Sequence, residues 1–176
     1  DANTVGESDA AGTAVQVTAL ATDADGTTNT ISYAVTAQSC SGAFAVGSST
    51  GIVTVADNSA IDYETAQTCT VAVTATSTDT STAATTFTVA VTDIDEFDVV
   101  APSDSNSGTN TMAENVANAA TVGVTAVATD ADGTTNVISY TVTAQSCSSV
   151  FTVGSSTGIV AVADNTAIDY ETATTC

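Results

Sequence analysis

The side chains in this sequence that could do chemistry are mainly carboxylates. The 176 residues include 20 Asp and Glu but no Lys, Arg or His, so the formal net charge is −20. Carboxylate groups gathered in short clusters are the oxygen ligands that Ca²⁺ prefers. The alternative is that they only cap turns, a role for which Asp is also well suited. We predict calcium binding by the clustered acidic residues, which are Glu7, Asp23, Asp25, Asp62, Glu64, Asp93, Asp95, Glu96, Glu114, Asp130, Asp132, Asp169 and Glu171.

The lack of basic residues excludes several classes of function. Nucleic-acid binding and binding to anionic membranes both depend on cationic side chains, which are absent. Most acid–base catalysis also loses its usual groups, because neither His nor Lys is present. A carboxylate pair of the glycosidase kind is the remaining catalytic option, but the sequence shows no aromatic-lined cleft around one. We therefore predict that the chain is not an enzyme.

The sequence contains a long internal repeat. Asp23 recurs as Asp130 and Cys40 as Cys147, an offset of 107 positions (130 − 23). The run ATDADGTTNTISY that begins at Ala21 returns almost unchanged from Ala128. This period is too long for a solenoid unit and fits a whole β-sandwich domain of about 100 residues.

Apolar residues within a repeat alternate with small polar ones, which is typical of half-buried strands. Val71, Val73 and Ala75 show this period of two, and Ser48–Gly51 separates two further strand-like runs as a hairpin turn would. The pattern predicts an all-β chain of antiparallel sandwiches. The first sandwich is expected at residues 1–98 and the second at 99–176. The only proline lies in the segment that connects them.

The second predicted sandwich is incomplete. Cys176, where it stops, corresponds to Cys69, and the first repeat continues from there with strand-like runs at Thr70–Thr76 and Thr85–Asp93. A sandwich without these strands would expose apolar faces and unpaired edges. We expect either that the chain is a fragment of a longer array or that another subunit donates the missing strands, as in strand-complemented filaments.

Several motifs, in order, resemble those of cadherin repeats. They are ATDADG-x-x-N before Ile-Ser-Tyr, then Thr-Gly-Ile-Val, then Ile-Asp-Tyr-Glu, then VTDIDEF at the end of the first repeat. Met112-Ala113-Glu114-Asn115 resembles the Glu-Asn that opens the next repeat. The resemblance covers essentially the whole chain. It implies tandem Ig-like, cadherin-like Greek-key sandwiches with calcium ions between successive repeats.

The resemblance also implies a ligand set for each junction. The junction of the two repeats would use Glu7, Asp62, Glu64, Asp93, Asp95, Glu96, Asp130, Asp132 and Asn136. A preceding junction would use Asp23, Asp25 and Asn29, and a following one Glu114, Asp169 and Glu171.

Two departures from the family pattern bear on these ions. The linker reads Asp-Ile-Asp-Glu where the family is richer in Asn, and Ser77 stands where the family often carries Asp. The Ser at position 77 could lower the number or affinity of the ions. An EF-hand fits less well, because Asp23-Ala24-Asp25-Gly26 lacks the third ligand, the later Gly and the closing Glu.

The four cysteines form two pairs with the same spacing. Cys40 and Cys69 in the first repeat correspond to Cys147 and Cys176 in the second. A disulfide within each repeat is the simplest interpretation, and it would suit an oxidising compartment. Free buried thiols and bonds between chains remain alternatives. Metal binding or nucleophilic catalysis by Cys is not expected without His or Cys-x-x-Cys.

The function implied by the resemblance is that of an extracellular or cell-surface repeat. It would be a structural or adhesive element, rigidified by calcium into a rod or filament subunit within a longer repetitive protein. Its partners would be neighbouring repeats or identical subunits. A carbohydrate- or protein-binding module is the alternative, although Tyr33 and Tyr140 lie on the apolar phase of a strand rather than on an aromatic platform.

Overall fold

The structure, a computed structural model, describes residues 3–147 and 149–176. It forms two compact units, of which the first comprises the chain as far as Glu96 together with Asp132–Thr134. The second comprises Phe97–Ala131 and Thr135–Cys176. The repeat boundary at residues 98 and 99 stays a prediction.

Among the described residues, the first unit has seven strands, and the longer ones lie in runs that alternate in polarity. The seven strands are β1 Thr4–Gly6, β2 Ala14–Thr18, β3 Ile31–Gln38, β4 Phe44–Val46, β5 Ile52–Val55, β6 Thr68–Ser77 and β7 Thr82–Thr92.

These strands form two sheets that share one core. The larger sheet has the order β1-β7-β6-β3, and the smaller has the order β2-β5-β4. The β1–β7 pair is parallel, whereas β6 pairs antiparallel with both β7 and β3. Alternation decides which side chains enter the core: Cys69, Val71 and Val73 of β6 are buried, whereas Thr68 is exposed. The chain is therefore all-β as predicted, with the β-sandwich core that the alternation required.

The predicted hairpin turn is confirmed. β4 pairs with β5 in antiparallel register, from Phe44 opposite Val55 to Val46 opposite Val53. The turn between them ends at Gly51, whose φ of +69° lies in the left-handed region that favours glycine. A Cβ at this position would also collide with the carbonyl oxygen of Ala19.

One short 3-10 turn, Asn58–Ala60, follows β5 in the first unit. The Asp57 carboxylate caps it by accepting hydrogen bonds from the Ser59 backbone N–H at 3.0 Å and from its hydroxyl at 2.7 Å. This carboxylate therefore has a local structural role.

The second unit has one four-stranded sheet, of order β10-β11-β9-β8. No counterpart of β6 or β7 occurs in it among the described residues. Ile138–Gln145 repeats the β3 sequence almost letter for letter, yet it forms no strand. A strand needs a hydrogen-bonding neighbour, and in the first unit that neighbour is β6. The strands of this sheet are β8 Ser103–Asp104, β9 Thr121–Val127, β10 Phe151–Val153 and β11 Ile159–Val162.

Each unit contains one disulfide. Cys40 is bonded to Cys69 with a Cα–Cα distance of 5.5 Å, and Cys147 to Cys176 with a distance of 5.2 Å. The structure therefore has the pairing within each repeat that was the simplest interpretation of the spacing.

Candidate metal centre

Glu7 links three separate segments at one end of the first unit. It follows β1 directly, and its side chain is only 9% exposed. Its carboxylate accepts hydrogen bonds from the backbone N–H of Tyr63 at 2.7 Å and of Ile94 at 2.6 Å. Tyr63 lies in the loop before β6, and Ile94 lies just after β7. The end of β1, this loop and the end of β7 are therefore held together by one carboxylate.

Four carboxylates meet at this end of the unit. Ligand oxygens of Glu7, Glu64, Asp93 and Glu96 all lie within 4.8 Å of one another. All four are in loops or just beyond a strand, so the strands fix where the loops begin while the loops bring the charges together. We call this set the four-carboxylate cluster.

The segment Asp132–Thr134, which belongs to the same compact unit, lies against the cluster. Asp132 is only 2% exposed, and it accepts a hydrogen bond from the Glu96 backbone N–H at 3.4 Å. The Gly133 backbone N–H donates to Glu64 Oε1 at 2.7 Å, and the Thr134 hydroxyl donates to Asp93 Oδ2.

The approach at Gly133 leaves no room for a side chain. A Cβ there would lie 2.6 Å from the Tyr63 ring and 2.7 Å from Glu64 Oε1. Glycine at this position therefore lets the backbone reach the Glu64 carboxylate.

Two features of the cluster favour a cation. Asp93 Oδ1 is buried and has no hydrogen-bond partner among the described residues. A buried carboxylate oxygen without a partner is costly, and a hard cation would compensate it. Partial desolvation, then repulsion from Glu7, Glu64, Asp132 and Asp93, raises the pKa of Glu96 to about 7.

The repulsion is the more informative cause of this shift. Glu96 as a whole is exposed, so its desolvation is incomplete, whereas the negative neighbours surround it. A cation in the cluster would oppose that repulsion and favour the charged carboxylate. The donor set therefore fits calcium, whose ligands are oxygen atoms.

Other predicted ligands of this group have different surroundings. The Asp62 carboxylate accepts hydrogen bonds from the Thr65 backbone N–H at 2.8 Å and from its hydroxyl at 2.9 Å, so it caps the turn before β6. Asp95 is exposed. Asp130 and Asn136 belong to the second unit, where Asp130 is half-buried and Asn136 is exposed. Their roles as ligands stay predictions.

A second acidic group in the first unit includes a residue that the sequence argument missed. Oxygens of Asp23, Asp25 and Asp79 lie within 4.8 Å of one another. Asp23 Oδ1 accepts from the Asp25 backbone N–H at 3.0 Å, and Asp23 Oδ2 is buried without a partner among the described residues. Asn29, the third predicted ligand, is exposed in the same loop.

Asp79 lies in the turn between β6 and β7, two positions after Ser77. The Ser77 hydroxyl donates to the Thr28 carbonyl at 2.8 Å and braces the loop that carries Asp23 and Asp25. Hydrogen bonds from Ser81 lower the pKa of Asp79. The only sequence signal for this residue was its closeness to the position where the family has Asp.

A third acidic group, in the second unit, consists of the residues predicted as ligands of a following junction, and that role stays a prediction. Oxygens of Glu114, Asp169 and Glu171 lie within 4.8 Å of one another, and all three residues are exposed. Hydrogen bonds, first from the Thr172 hydroxyl, lower the pKa of Asp169. Glu114 accepts from the Tyr170 backbone N–H at 3.2 Å, as Glu7 does from Tyr63.

No helix among the described residues is long and apolar enough to cross a membrane. No curated protein matches the sequence closely enough to count as a relative.

Solved structures with a similar fold are extracellular pieces of cadherins and protocadherins. A protocadherin gammaB7 EC3-6 cis-dimer structure superposes with a TM-score of 0.76 at 23% identity, covering 92% of this chain and 41% of that one. Mouse cadherin-23 EC22-24 superposes with a TM-score of 0.74 at 22% identity, covering 97% of this chain and 52% of that one. Protocadherin gamma B2 extracellular cadherin domains 3-6 superpose with a TM-score of 0.72 at 23% identity, covering 92% of this chain and 41% of that one. The chain thus spans about half or less of the length of these structures.

At such identities the likeness establishes the fold, while the family is established by sequence. The family profile of the cadherin domain matches residues 3–92, which is slightly more than half of the chain. The matched range runs from the start of β1 to the end of β7 and so includes every strand of the first unit. The chain belongs to the cadherin domain family.

Proposed function

We propose that this chain is a calcium-stiffened repeat of an extracellular structural or adhesive protein. The observation that supports this most strongly is Asp93 Oδ1 in the four-carboxylate cluster, a buried oxygen with no hydrogen-bond partner in the part of the chain that the structure describes. The chain has no basic side chain to neutralise that cluster. A divalent cation is the natural counter-charge for it.

The residues that would hold the ion are Glu7, Glu64, Asp93 and Glu96, with Asp132 beside them. Bound calcium supplies positive charge and oxygen coordination there, and it removes the repulsion among the carboxylates. Glu7 already joins three segments through its two backbone contacts, so neutralising the cluster would restrict the motion of all three. In an array of such repeats, ions held at the repeat ends would limit bending between neighbours.

An extracellular location is supported by the disulfides and by the similarity to extracellular cadherin domains. Disulfides persist in oxidising compartments, and each unit has one. Two of the similar structures are described as extracellular cadherin domains or as a cis-dimer. We propose by analogy that the partners are neighbouring repeats or identical subunits.

The test is thermal unfolding of the chain with calcium, with chelator and with magnesium alone. At a hundredfold excess of calcium over Kd, each site should stabilise the folded state by about 2.7 kcal/mol. Asp93→Asn should remove most of the difference between calcium and chelator.

Asp57→Asn is the matched control, because Asp57 caps a 3-10 turn away from the cluster. It should destabilise the first unit equally in both conditions. Identical melting curves for the unmodified chain in calcium and in chelator would contradict the proposal.

A further inference from the structure

The dipeptide Asp-Gly occurs at two places in the sequence, which we call the first pair, Asp25-Gly26, and the second pair, Asp132-Gly133. Their surroundings along the chain are the same, because Ala21–Asn29 and Ala128–Asn136 both read ATDADGTTN. A difference in reactivity between the two pairs in the folded chain must therefore come from the structure and not from the neighbouring residues.

An Asp-Gly pair can rearrange without an enzyme. The glycine backbone nitrogen attacks the Cγ of a protonated Asp side chain, so that a C–N bond forms and a C–O bond breaks. The carboxyl hydroxyl leaves with the amide hydrogen as water, and the product is a succinimide ring. Water then opens the ring, either at Cγ, which restores Asp, or at the former main-chain carbonyl, which gives isoaspartate. Glycine favours the reaction because no side chain hinders the approach of its nitrogen.

The structure leaves the first pair accessible. All residues from 24 to 30 are exposed, and none of them belongs to a strand. A Cβ at Gly26 would have no atom within 4 Å, so the space around this residue is open. Within the part of the chain that the structure describes, the Gly26 backbone N–H donates no hydrogen bond. The nitrogen is therefore available to attack the exposed Asp25 carboxyl group.

The second pair is enclosed by the first unit. Asp132 is only 2% exposed, and the Gly133 backbone N–H donates to Glu64 Oε1 at 2.7 Å. The Gly133 nitrogen can attack the Asp132 carboxyl group only after this bond has opened. A Cβ at Gly133 would lie 2.6 Å from the Tyr63 ring, so the backbone here is also closely packed.

We propose that Asp25 is a site of spontaneous isoaspartate formation, and that the identical second pair is protected by its contacts with the first unit. The rearrangement releases one water and takes one up, so it needs no enzyme, oxidant or other reactant. The inference rests on exposure and hydrogen bonding and goes beyond the proposed function.

The product would change the acidic group that contains Asp25. Isoaspartate adds one carbon to the main chain and moves the free carboxylate to the former main-chain carbonyl carbon. In the unmodified chain, an Asp25 oxygen lies within 4.8 Å of oxygens of Asp23 and Asp79. The rearrangement removes that oxygen from its place. This group would therefore change as the protein ages, whereas Asp132 beside the four-carboxylate cluster would be preserved.

The experiment incubates the full 176-residue chain at mildly acidic pH in chelator, which keeps any bound cation from shielding Asp25. Mass spectrometry with electron-transfer fragmentation then measures isoaspartate at each pair. The protease Asp-N cleaves before Asp but not before isoaspartate, so it gives an independent measure at position 25. We expect isoaspartate to form at position 25 about tenfold faster or more than at position 132, where a hydrogen bond to a charged acceptor must open first.

The two pairs also provide a matched control within one molecule. In the reduced and alkylated chain in urea, neither pair keeps its folded contacts, so the two rates should agree within about twofold.

A variant tests the attacking atom. Gly26→Val should lower the rate at position 25 by about tenfold, because a β-branched side chain hinders the approach of its nitrogen. The rate at position 132 should not change. Since a Cβ at Gly26 meets no other atom, the variant should also keep the melting temperature of the unmodified chain.

Three results would overturn the proposal. The first is a rate at position 25 no higher than the rate at position 132 in the folded chain. The second is a difference between the two positions that persists in urea, because the fold would then not cause it. The third is fast formation at position 25 that Gly26→Val leaves unchanged.

Discussion

Gln16 and Gly123 occupy the same place in their repeats, and both have a positive φ, of 61° and 80°. Each lies where the register shifts between two antiparallel strands, in β2–β5 and in β9–β11. Such bulges often place glycine in the left-handed region, because a side chain is strained there. The first repeat therefore carries a strained Gln where the second has the residue that suits this conformation.

Replacing Gln16 by glycine should stabilise the first unit. The gain from removing strain is about 1 kcal/mol, reduced by the extra freedom of glycine in the unfolded chain. Urea unfolding of Gln16→Gly measures the net effect. The reverse change, Gly123→Gln, should destabilise the second unit, because a Cβ there would lie 2.8 Å from the Thr109 carbonyl oxygen. Destabilisation by Gln16→Gly of more than about 1 kcal/mol, the cost of glycine's extra freedom alone, would contradict strain at the bulge.

Asp132→Ala should lower the pKa of Glu96 towards its ordinary value of 4.5. Repulsion from Asp132 is one of the causes that raise the Glu96 pKa to about 7, after desolvation and after repulsion from Glu7 and Glu64. A carbon-detected NMR titration of the Glu96 carboxyl group in chelator measures this directly. The same variant should also reduce the melting-temperature difference between calcium and chelator. An unchanged Glu96 pKa would place Asp132 electrostatically outside the cluster.

The Cys40–Cys69 disulfide should contribute a large part of the stability of the first unit. The bond closes a separation of 29 residues, for which the chain-entropy model gives about 3.6 kcal/mol. The double variant Cys40→Ala, Cys69→Ala should lower the free energy of unfolding by roughly that amount. The double variant Cys147→Ala, Cys176→Ala is the matched control and should leave the unfolding transition of the first unit unchanged. Non-reducing peptide mapping should recover both bonds, and four alkylated thiols would refute them.

Asp104 should stabilise the folded second unit at neutral pH but not in strong acid. Hydrogen bonds, first from the Thr125 backbone N–H, lower its pKa below 3.8 in the folded state. The folded state thus favours the charged form, so this stabilisation is present above the unfolded pKa. It is lost as the pH falls from about 3.8 through the lower folded value. In Asp104→Asn, the Thr125 amide should exchange faster at neutral pH, and the difference from the unmodified chain should vanish in acid. A difference that persists in strong acid would contradict this.

The sequence predicted the strands best where a complete sandwich forms. Val71 and Val73 alternate with Thr, and they face the core of the first unit as that period requires. The same reasoning fails for Ile138–Gln145, whose letters match β3 but whose backbone forms no strand. A β-strand depends on a neighbour that may lie far along the chain, so local pattern alone could not decide this segment.

The acidic residues that lie together could also be predicted only in part. Family resemblance selected Glu7, Glu64, Asp93 and Glu96, and the structure brings these four together. It could not find Asp79, because Ser77 holds the position that the family pattern marks. Where a loop carboxylate lies depends on where the turn ends. Asp79 is two positions away from the one that the family pattern marks, so the pattern does not detect it.

The near-identity of Ile31–Gln38 and Ile138–Gln145 has a consequence for folding kinetics. Strand β6 pairs with the first of these segments, but the second offers it almost the same partner. During synthesis at about 5–20 residues per second, β6 and β7 emerge seconds before the second segment, so the correct pairing forms first. Refolding from denaturant removes that order. We expect a slow, concentration-independent refolding phase in which β6 is released from incorrect pairing with Ile138–Gln145. This slow phase should disappear when the sequence of residues 138–145 is scrambled.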